Sequence, residues 1–327
     1  MTLCRRALIA ALAAPLAAPL TAPLPGQSTG HAPYAPIVLL LPSGPRTLAL
    51  GNTGIVGRDD DALFFNPAQL AIARGFSASG ERYSANAGGG AVAAVTRFHG
   101  GGIAVGARMA DYEGPANAFP SDRRSMLDPG PTAGTSLELS AGLAQVIKGY
   151  RVGGAAKYVE DAVSAERVGR VAFDVGVAKD FMGSYSAGLS VQQIGESMNI
   201  PCSITTGPPC TPPAGAGAVQ RTRVDLPLRT TVGIGTQRGV GAFDLLATAA
   251  VSVLRDGFVT PSGGAELGYS WLDGYSIALR AGGRRPLTGE SALTAGAGFT
   301  MDRLSIDYAL ETLSGSRLGH RFGLRIR

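Results

Sequence analysis

From residue 75 to its end, the chain alternates apolar and polar residues with a period of two, which is typical of β-strands that have one apolar face. The last segment is the clearest case, because arginines and glycines alternate with one apolar set: Leu318, His320, Phe322, Leu324 and Ile326. About fourteen such segments can be counted. They start near residues 76, 90, 102, 135, 151, 168, 184, 226, 241, 262, 274, 290, 303 and 317.

The spacing of these segments fits a membrane-embedded barrel. A tilted outer-membrane strand needs ~9–11 residues in the hydrocarbon, and the spacing leaves room for rims and turns as well. Short connections such as Lys148-Gly149 predict tight turns at one end, and residues 113–134 and 197–224 predict long loops at the other. A soluble β-sandwich or propeller would also show period two, but long strands with a small, mixed-charge second face favour the barrel. We therefore predict an all-β fold, a transmembrane antiparallel β-barrel of about 14 strands over residues 75–327.

Residues 1–30 have the pattern of a secretory signal peptide. Two arginines precede the uncharged run Ala7–Leu20, which is rich in alanine and leucine. Two prolines interrupt the run, and it is shorter than the ~20 residues of a membrane-spanning helix. We expect the mature chain to be exported.

Residues 31–74 lie between this leader and the first strand, and they predict two short helices. The acidic residues Asp59–Asp61 can cap a helix that runs through Phe65, with their charges at its positive end. Asn66 can cap a second turn whose first helical residue is Pro67. No loop of alternating oxygen ligands follows the acidic residues, so we predict helix capping rather than a metal site. Two short helices ahead of a barrel are well placed to lie in its lumen as a plug.

Composition and charge exclude several classes of function. The 47 glycines and the low charged fraction of 16% argue against disorder and coiled coils. The net charge of +5 comes from scattered arginines and three lysines without a basic block, so we expect no nucleic-acid partner. The histidines are His31, His99 and His320, and no serine–histidine pair can be argued for them. We predict neither an enzyme nor a cofactor.

Beyond the leader, the chain has two cysteines, Cys202 and Cys210, in a segment rich in proline and glycine. An even number of cysteines in an exported chain predicts a disulfide. A zinc site would require histidine or further cysteines nearby, and none is present. The predicted disulfide closes a short loop and has a structural role.

The predicted inward face of the barrel carries both signs of charge among small residues. Its charged members are Arg108, Glu138, Lys157, Asp174, Arg229, Glu266, Arg280, Asp307, Glu311, Arg321 and Arg325. Mixed charge suits salt-bridge networks that hold a plug rather than a wide pore of one sign. The same residues would also suit simple solvation of a water-filled lumen, and both interpretations stay open at this point.

Two short stretches resemble the PorV/PorQ family, within the superfamily of FadL-like long-chain fatty-acid transporters. The first has Leu50 and Gly51, the acidic residues before Ala-Leu-Phe-Phe, and an Asn-Pro-Ala motif at residues 66–68. The second is the final pair of segments, Ile306-Asp-Tyr-Ala and Leu318-Gly-His-Arg. This resemblance implies a fourteen-stranded barrel with an N-terminal plug, in agreement with the independent strand count.

Two functions follow as hypotheses. In the first, the barrel lets small hydrophobic molecules cross the outer membrane, and the plug gates the path. The gating residues would be Phe64, Phe65, Asn66, Pro67 and Ala68. In the second, as the resemblance to PorV implies, the protein is an outer-membrane component of a secretion or surface-attachment system of type IX kind. The expected partners are outer-membrane lipid and either a hydrophobic small molecule or secretion-system proteins.

Overall fold

Fourteen antiparallel strands close into a barrel in the computed structural model, which describes residues 36–83, 87–114, 132–163, 166–201, 221–286, 290–313 and 317–327. The barrel strands are β1 (Gly75–Arg82), β2 (Gly88–Phe98), β3 (Gly101–Gly114), β4 (Thr132–Ile147), β5 (Tyr150–Val163), β6 (Glu166–Phe181), β7 (Tyr185–Gly195), β10 (Arg229–Val240), β11 (Phe243–Leu254), β12 (Val259–Leu272), β13 (Tyr275–Arg284), β14 (Glu290–Met301), β15 (Leu304–Leu313) and β16 (Arg317–Ile326). Each begins within three residues of a predicted start. The fold prediction is confirmed.

Neighbours in the barrel are neighbours in the sequence, except where β10 pairs with β7 and where β1 pairs with β16. Between β7 and β10 the chain leaves the wall to form a small hairpin of β8 (Met198–Pro201) and β9 (Arg221–Val224). The first and last strands, β1 and β16, pair from Phe76↔Ile326 to Arg82↔His320 and close the barrel. Closure leaves no unpaired sheet edge, as the absence of water in a bilayer demands.

The period-two pattern separates the two faces of the wall. On β16, Leu318 and Phe322 are 48% and 59% exposed, whereas Arg321 between them is 2% exposed. The outward side chains form an apolar belt and the inward ones pack in the lumen, because successive side chains of a strand point to opposite faces.

Tight turns connect the strands at one end of the barrel, here called the short-turn end. Lys148 and Gly149 join β4 to β5 with φ angles of 51° and 79°, the left-handed pair of a two-residue hairpin turn. His99 and Gly100 join β2 to β3 in the same way. The longer connections, such as that from β7 to β10, lie at the opposite, long-loop end. Both Gly75 and Ile326 lie at the short-turn end, as expected for an even number of strands.

The described residues ahead of β1, 36–74, lie inside the barrel. Within them, the α-helix α1 spans Pro45–Ala49, and 3-10 turns span Ile37–Leu39, Gly54–Val56, Asp60–Phe64 and Pro67–Ala71. We call residues 45–73 the plug. The plug contacts the wall on most strands, whereas residues 37–41 lie nearer the long-loop end and pack on Tyr83 and Phe258.

No helix in the described ranges is long and apolar enough to span a membrane.

Candidate functional site

The plug rests on a ring of inward-facing glycines. A Cβ atom built on Gly264 would come within 2.6 Å of the Leu50 Cα atom, and one on Gly323 within 2.7 Å of the Pro45 Cγ atom. Further wall glycines that a Cβ would bring into overlap with the plug are Gly102, Gly106, Gly142, Gly153, Gly176, Gly188, Gly233, Gly282 and Gly296. The plug therefore touches the wall around most of its circumference, with contacts too close for any larger residue.

Asn66 joins two turns of the plug to the wall. Its side chain is fully buried, and its Oδ1 atom accepts a hydrogen bond from the Ala68 backbone N–H at 3.1 Å. This caps the Pro67–Ala71 turn, with Pro67 at the first helical position as predicted. The Nδ2 atom donates to the carbonyls of Ile55 at 3.0 Å and Val177 on β6 at 3.4 Å. All three contacts depend on the amide geometry of this one side chain.

Strand β7 holds the backbone of Phe64 and Phe65. Ser190 Oγ donates to the Phe65 carbonyl at 2.9 Å, and Gln192 Nε2 donates to the Phe64 carbonyl at 2.7 Å. Next to these residues the register with β6 shifts, and Gln193 has a left-handed φ of 57°. This is a β-bulge, and it buries Gln192 and Gln193, two consecutive residues, at the level of the plug.

A first network of buried charges runs across β3 to β6. Arg108 Nε lies 2.8 Å from Glu138 Oε2, and Lys157 Nζ lies 3.1 Å from Glu138 Oε1 and 2.8 Å from Asp174 Oδ2. Arg108 also donates to the Leu41 carbonyl at 3.1 Å, and its guanidinium lies 4.8 Å from the centre of the Phe64 ring. The network thus connects the wall to both parts of the luminal chain.

A second network joins the plug to β12, β13, β15 and β16. Arg46 Nε lies 2.8 Å from Glu266 Oε2, and Arg325 lies 2.7 Å from both Asp59 and Asp307. Arg280 lies 2.6 Å from Asp307 and also pairs with Glu266. Asp59 is the centre of this network on the plug side, since Arg46 and Arg327 pair with it too.

The capping role predicted for the acidic residues is wrong for Asp59. It occupies the N-cap position of the Asp60–Phe64 turn, but its side chain makes no capping hydrogen bond. The carboxylate is turned toward three arginines instead, because these full charges attract it more strongly than the partial charge of a one-turn helix does.

The pKa values of two acidic residues of the plug, Asp59 and Asp61, are shifted in opposite directions. Burial alone would raise the pKa of Asp59, but the charges of Arg325, Arg46 and Arg327 outweigh burial and hold that pKa well below its usual range. Asp61 accepts a hydrogen bond from the Thr47 hydroxyl at 3.0 Å. Burial first, and then the negative charges of Asp59 and Asp60, raise the pKa of Asp61 to about 7.

All eleven charged residues predicted to face inward lie on the inner face of the wall. Besides the two networks, Glu311 pairs with Arg284 at 2.7 Å, and Arg321 pairs with Glu81 on β1 and donates to Tyr83 Oη at 3.0 Å. Arg229 makes no hydrogen bond or ion pair with any residue of the described ranges.

Sequence reasoning missed several residues that hold the plug. Glu81 follows the alternation of β1 and could have been found from it. The other missed residues are Arg46, Ser190 and Gln192. The alternation could not have identified them, because their contacts depend on the path of the plug and on the bulge in β7. Cys202 and Cys210 lie outside the described residues.

Among the cavities between plug and wall in the described ranges, two lie on opposite sides of the plug segment 51–57. The chamber, toward the long-loop end, has a volume of about 40 Å³ and combines apolar residues with Arg229 and Gln192; its apolar lining includes Leu40, Ile55, Phe65 and Leu254. The vestibule, at the short-turn end, has a volume of about 250 Å³; its lining includes Leu50, Val56, Leu246, Thr236, Thr248 and Arg58. Thr53 lines both cavities, so they approach each other at this plug residue.

The described ranges contain no group of three histidine, cysteine or acidic side chains arranged to hold a metal ion. His320 faces outward, where its Nδ1 atom lies 2.8 Å from the Tyr308 hydroxyl, and His99 lies in a turn.

At the level of sequence, no protein-family model and no curated protein matches the chain. At the level of structure, it is similar to the toluene transporter TodX of Pseudomonas putida, with 11% identity, a TM-score of 0.54, and 90% of this chain and 98% of TodX covered. It is also similar to the monoaromatic hydrocarbon channel CymD, with 11% identity, a TM-score of 0.55, and 89% and 97% covered. A FadL homologue of Pseudomonas aeruginosa has 13% identity and a TM-score of 0.52, with 90% and 99% covered. These likenesses show that the chain has the barrel fold of these transporters and channels.

Proposed function

We propose that this protein is a passive channel of the bacterial outer membrane that lets small hydrophobic compounds cross, with the plug as its gate. The observation that carries the proposal is the pair of cavities, partly apolar, that meet at Thr53 inside a closed barrel. Porin lumens are polar and water-filled, whereas a path for hydrophobic compounds requires apolar lining.

The outer surface supports a place in a membrane. Large apolar side chains are exposed all round the barrel, and aromatic rings cluster outside near the short-turn end, where Trp271 stacks on Tyr269 and Phe299. Aromatic residues at the ends of an apolar belt are typical of barrels in a bilayer. In this proposal residues 1–30 are the cleaved leader, residues 31–74 form the N-terminal plug segment and residues 75–327 form the barrel.

In this proposal, the plug as it lies here is the closed form of the gate. The chamber of about 40 Å³ has room for only a few water molecules, so a hydrocarbon must displace part of the luminal chain. The segment 51–57 lies between the two cavities, and it includes Gly51 and Asn52, both with left-handed φ angles. Movement of this segment would join the chamber to the vestibule. The contacts of Phe64, Phe65 and Asn66 would hold the rest of the plug in place.

The fold likeness favours transport over the secretion alternative. Two of the similar structures are described as a toluene transporter and a monoaromatic hydrocarbon channel. The closer resemblance to PorV and PorQ depends on the motif residues alone, and no contact in the described residues favours a secretion partner. Monoaromatic hydrocarbons are therefore the first compounds to test.

The test is uptake of isotope-labelled toluene by cells of a host strain that lacks its own hydrocarbon channels. We expect the initial rate to rise when the protein is present in the outer membrane, as verified by heat-modifiable gel migration. The control is Thr53→Trp, which fills the junction of the two cavities and should return the rate to that of the empty host. A rate that does not rise with a correctly folded barrel would refute the transport function.

A further inference from the structure

Two of the three lysines of the chain lie on the outside of the barrel, at the same end of adjacent strands. Lys148 is in the turn from β4 to β5, and Lys179 lies near the short-turn end of β6. Lys179 faces outward, because it continues the alternation of Val175, which is 49% exposed. The third lysine, Lys157, is buried in the lumen. Both lysines that a ligand outside the barrel can reach are therefore on this one part of the wall.

Aromatic rings line the same part of the wall. The Lys179 Nζ atom lies 4.1 Å from the centre of the Tyr150 ring, and the Arg238 guanidinium of β10 lies 5.4 Å from the centre of the Tyr185 ring. Phe181 stacks on Tyr185 at 5.8 Å. Cations over aromatic faces are held in place with their charge still accessible. The basic patch is the set Lys148, Tyr150, Lys179, Phe181, Tyr185 and Arg238.

No carboxylate neutralises the basic patch. Within the described ranges, neither Lys148 nor Lys179 forms an ion pair, and Arg238 donates to hydroxyl groups. Asp180, which follows Lys179 in the chain, points to the inner face, where it pairs with Arg151 at 2.7 Å. The patch thus has a net positive charge that a ligand from outside can neutralise.

A second aromatic cluster at the short-turn end differs in charge. Trp271 stacks on Tyr269 and Phe299 on the outside of β12 and β14. The turns beside this cluster carry Asp273 and Asp302 instead of lysine. Aromatic rings alone are typical of the interface between bilayer and water, whichever lipid is present. The basic patch adds cations to this arrangement, and cations select for the charge of the headgroup.

We propose that the basic patch binds the phosphate of an anionic phospholipid in the periplasmic leaflet of the outer membrane. The short turns of outer-membrane barrels face the periplasm, so the patch lies at the level of that leaflet's headgroups. A lysine ammonium is a compact point charge that suits phosphate, and paired lysines repel the ammonium of a zwitterionic headgroup. This site goes beyond the transport function, because it does not depend on what the lumen conducts.

The wall beside the patch offers a surface for the acyl chains. Toward the middle of the barrel, Val152, Val175 and Leu189 are 42%, 49% and 43% exposed on three adjacent strands. A lipid whose phosphate is held by the lysines can lay its chains along these side chains. The ligand class is therefore a phospholipid with a net negative headgroup, such as phosphatidylglycerol.

The first test uses the single tryptophan of the chain, Trp271, which reports on the second cluster in the wild-type protein. In Tyr150→Trp/Trp271→Phe, the only tryptophan lies in the basic patch. Each full-length protein is reconstituted in phosphatidylethanolamine bilayers that contain a small, equal fraction of brominated phosphatidylglycerol or brominated phosphatidylethanolamine. We expect brominated phosphatidylglycerol to quench the tryptophan at position 150 about twofold more strongly, and the two lipids to quench Trp271 equally. The same quenching ratio in both proteins would refute the proposal.

The second test removes the cations. Lys148→Gln/Lys179→Gln, made in the protein with its tryptophan at position 150, should weaken the apparent affinity for brominated phosphatidylglycerol on the order of tenfold, because each cation near an anionic lipid contributes several-fold. The matched control, Arg97→Gln/Arg303→Gln, removes the same charge from two exposed arginines elsewhere at the short-turn end and should leave the affinity unchanged. Heat-modifiable migration verifies that both variants are folded. An unchanged affinity in the lysine variant, or an equal loss in both variants, would overturn the proposal.

Discussion

Replacement of Gly176 by alanine should loosen the plug without opening the barrel wall. A Cβ on Gly176 would overlap the Oδ1 atom of Asn66 and come within 3.1 Å of its Cγ atom. Asn66 cannot easily move aside, because its amide bonds to Ala68, Ile55 and Val177. The variant must break the cap on the Pro67–Ala71 turn or shift the plug from β6.

The size of the effect follows from these contacts. Loss of an N-cap costs about 0.5–2 kcal/mol, and a buried donor left without a partner costs about 1–3 kcal/mol. Together they lower the free energy of local plug opening by about 1.5–5 kcal/mol. Since about 1.4 kcal/mol is a factor of ten, the amides at Asn66 and Ala68 should exchange with solvent about ten to several thousand times faster.

Hydrogen exchange of the refolded protein, followed by mass spectrometry of the plug peptides, measures this directly. The matched control is Gly154→Ala on β5, where the nearest atom to a new Cβ is the Asp174 carbonyl oxygen at 3.6 Å, an ordinary contact. Heat-modifiable migration should stay the same in both variants, because the wall pairs are untouched. If Gly176→Ala and Gly154→Ala give the same plug exchange, the seating of the plug on wall glycines is refuted.

Three further predictions concern pH, buried charge and the path. Because the folded protein keeps a proton on Asp61 between about pH 4 and the raised pKa of about 7, while the unfolded chain releases it, plug stability should fall as pH rises through this range. Asp61→Asn should remove that slope, as measured by limited proteolysis of the plug at pH 5 and pH 8. Lys157→Met should destabilise the protein by about 3–5 kcal/mol in urea unfolding, because the buried carboxylates of Glu138 and Asp174 lose the cation that they share. A loss of stability below about 1 kcal/mol would contradict the network. Thr248→Trp should block the vestibule and reduce toluene uptake. The control is Thr300→Trp, on the inward face of β14 outside the vestibule lining, which should leave uptake unchanged. Equal uptake in the two variants would place the path elsewhere.

Much of the barrel could be predicted from the sequence, because each side chain of a strand in a closed barrel faces one of only two environments, the lipid or the lumen. A period-two pattern therefore assigns each residue to lipid or lumen without any knowledge of its neighbours. Glu138 and Asp307 were placed on the inward face in this way, and the turn at Lys148-Gly149 was found from local residue type. The cap that Asn66 forms on the Pro67 turn was also predictable, because it spans two residues.

The plug and its contacts depend on the tertiary structure, because the groups that meet there are far apart in the chain. Arg46 pairs with Glu266, which lies 220 residues away, and no local pattern encodes that distance. Asp59 shows the consequence. Local propensity predicts a helix cap, but Arg46 of the plug and two arginines that barrel closure brings near it, Arg325 and Arg327, pair with its carboxylate instead. The alternation of residues along the chain thus determined the strands and the two faces of the wall. Only the closed barrel decided which partners meet in the lumen, since a buried charge or carbonyl takes the nearest group that can satisfy it.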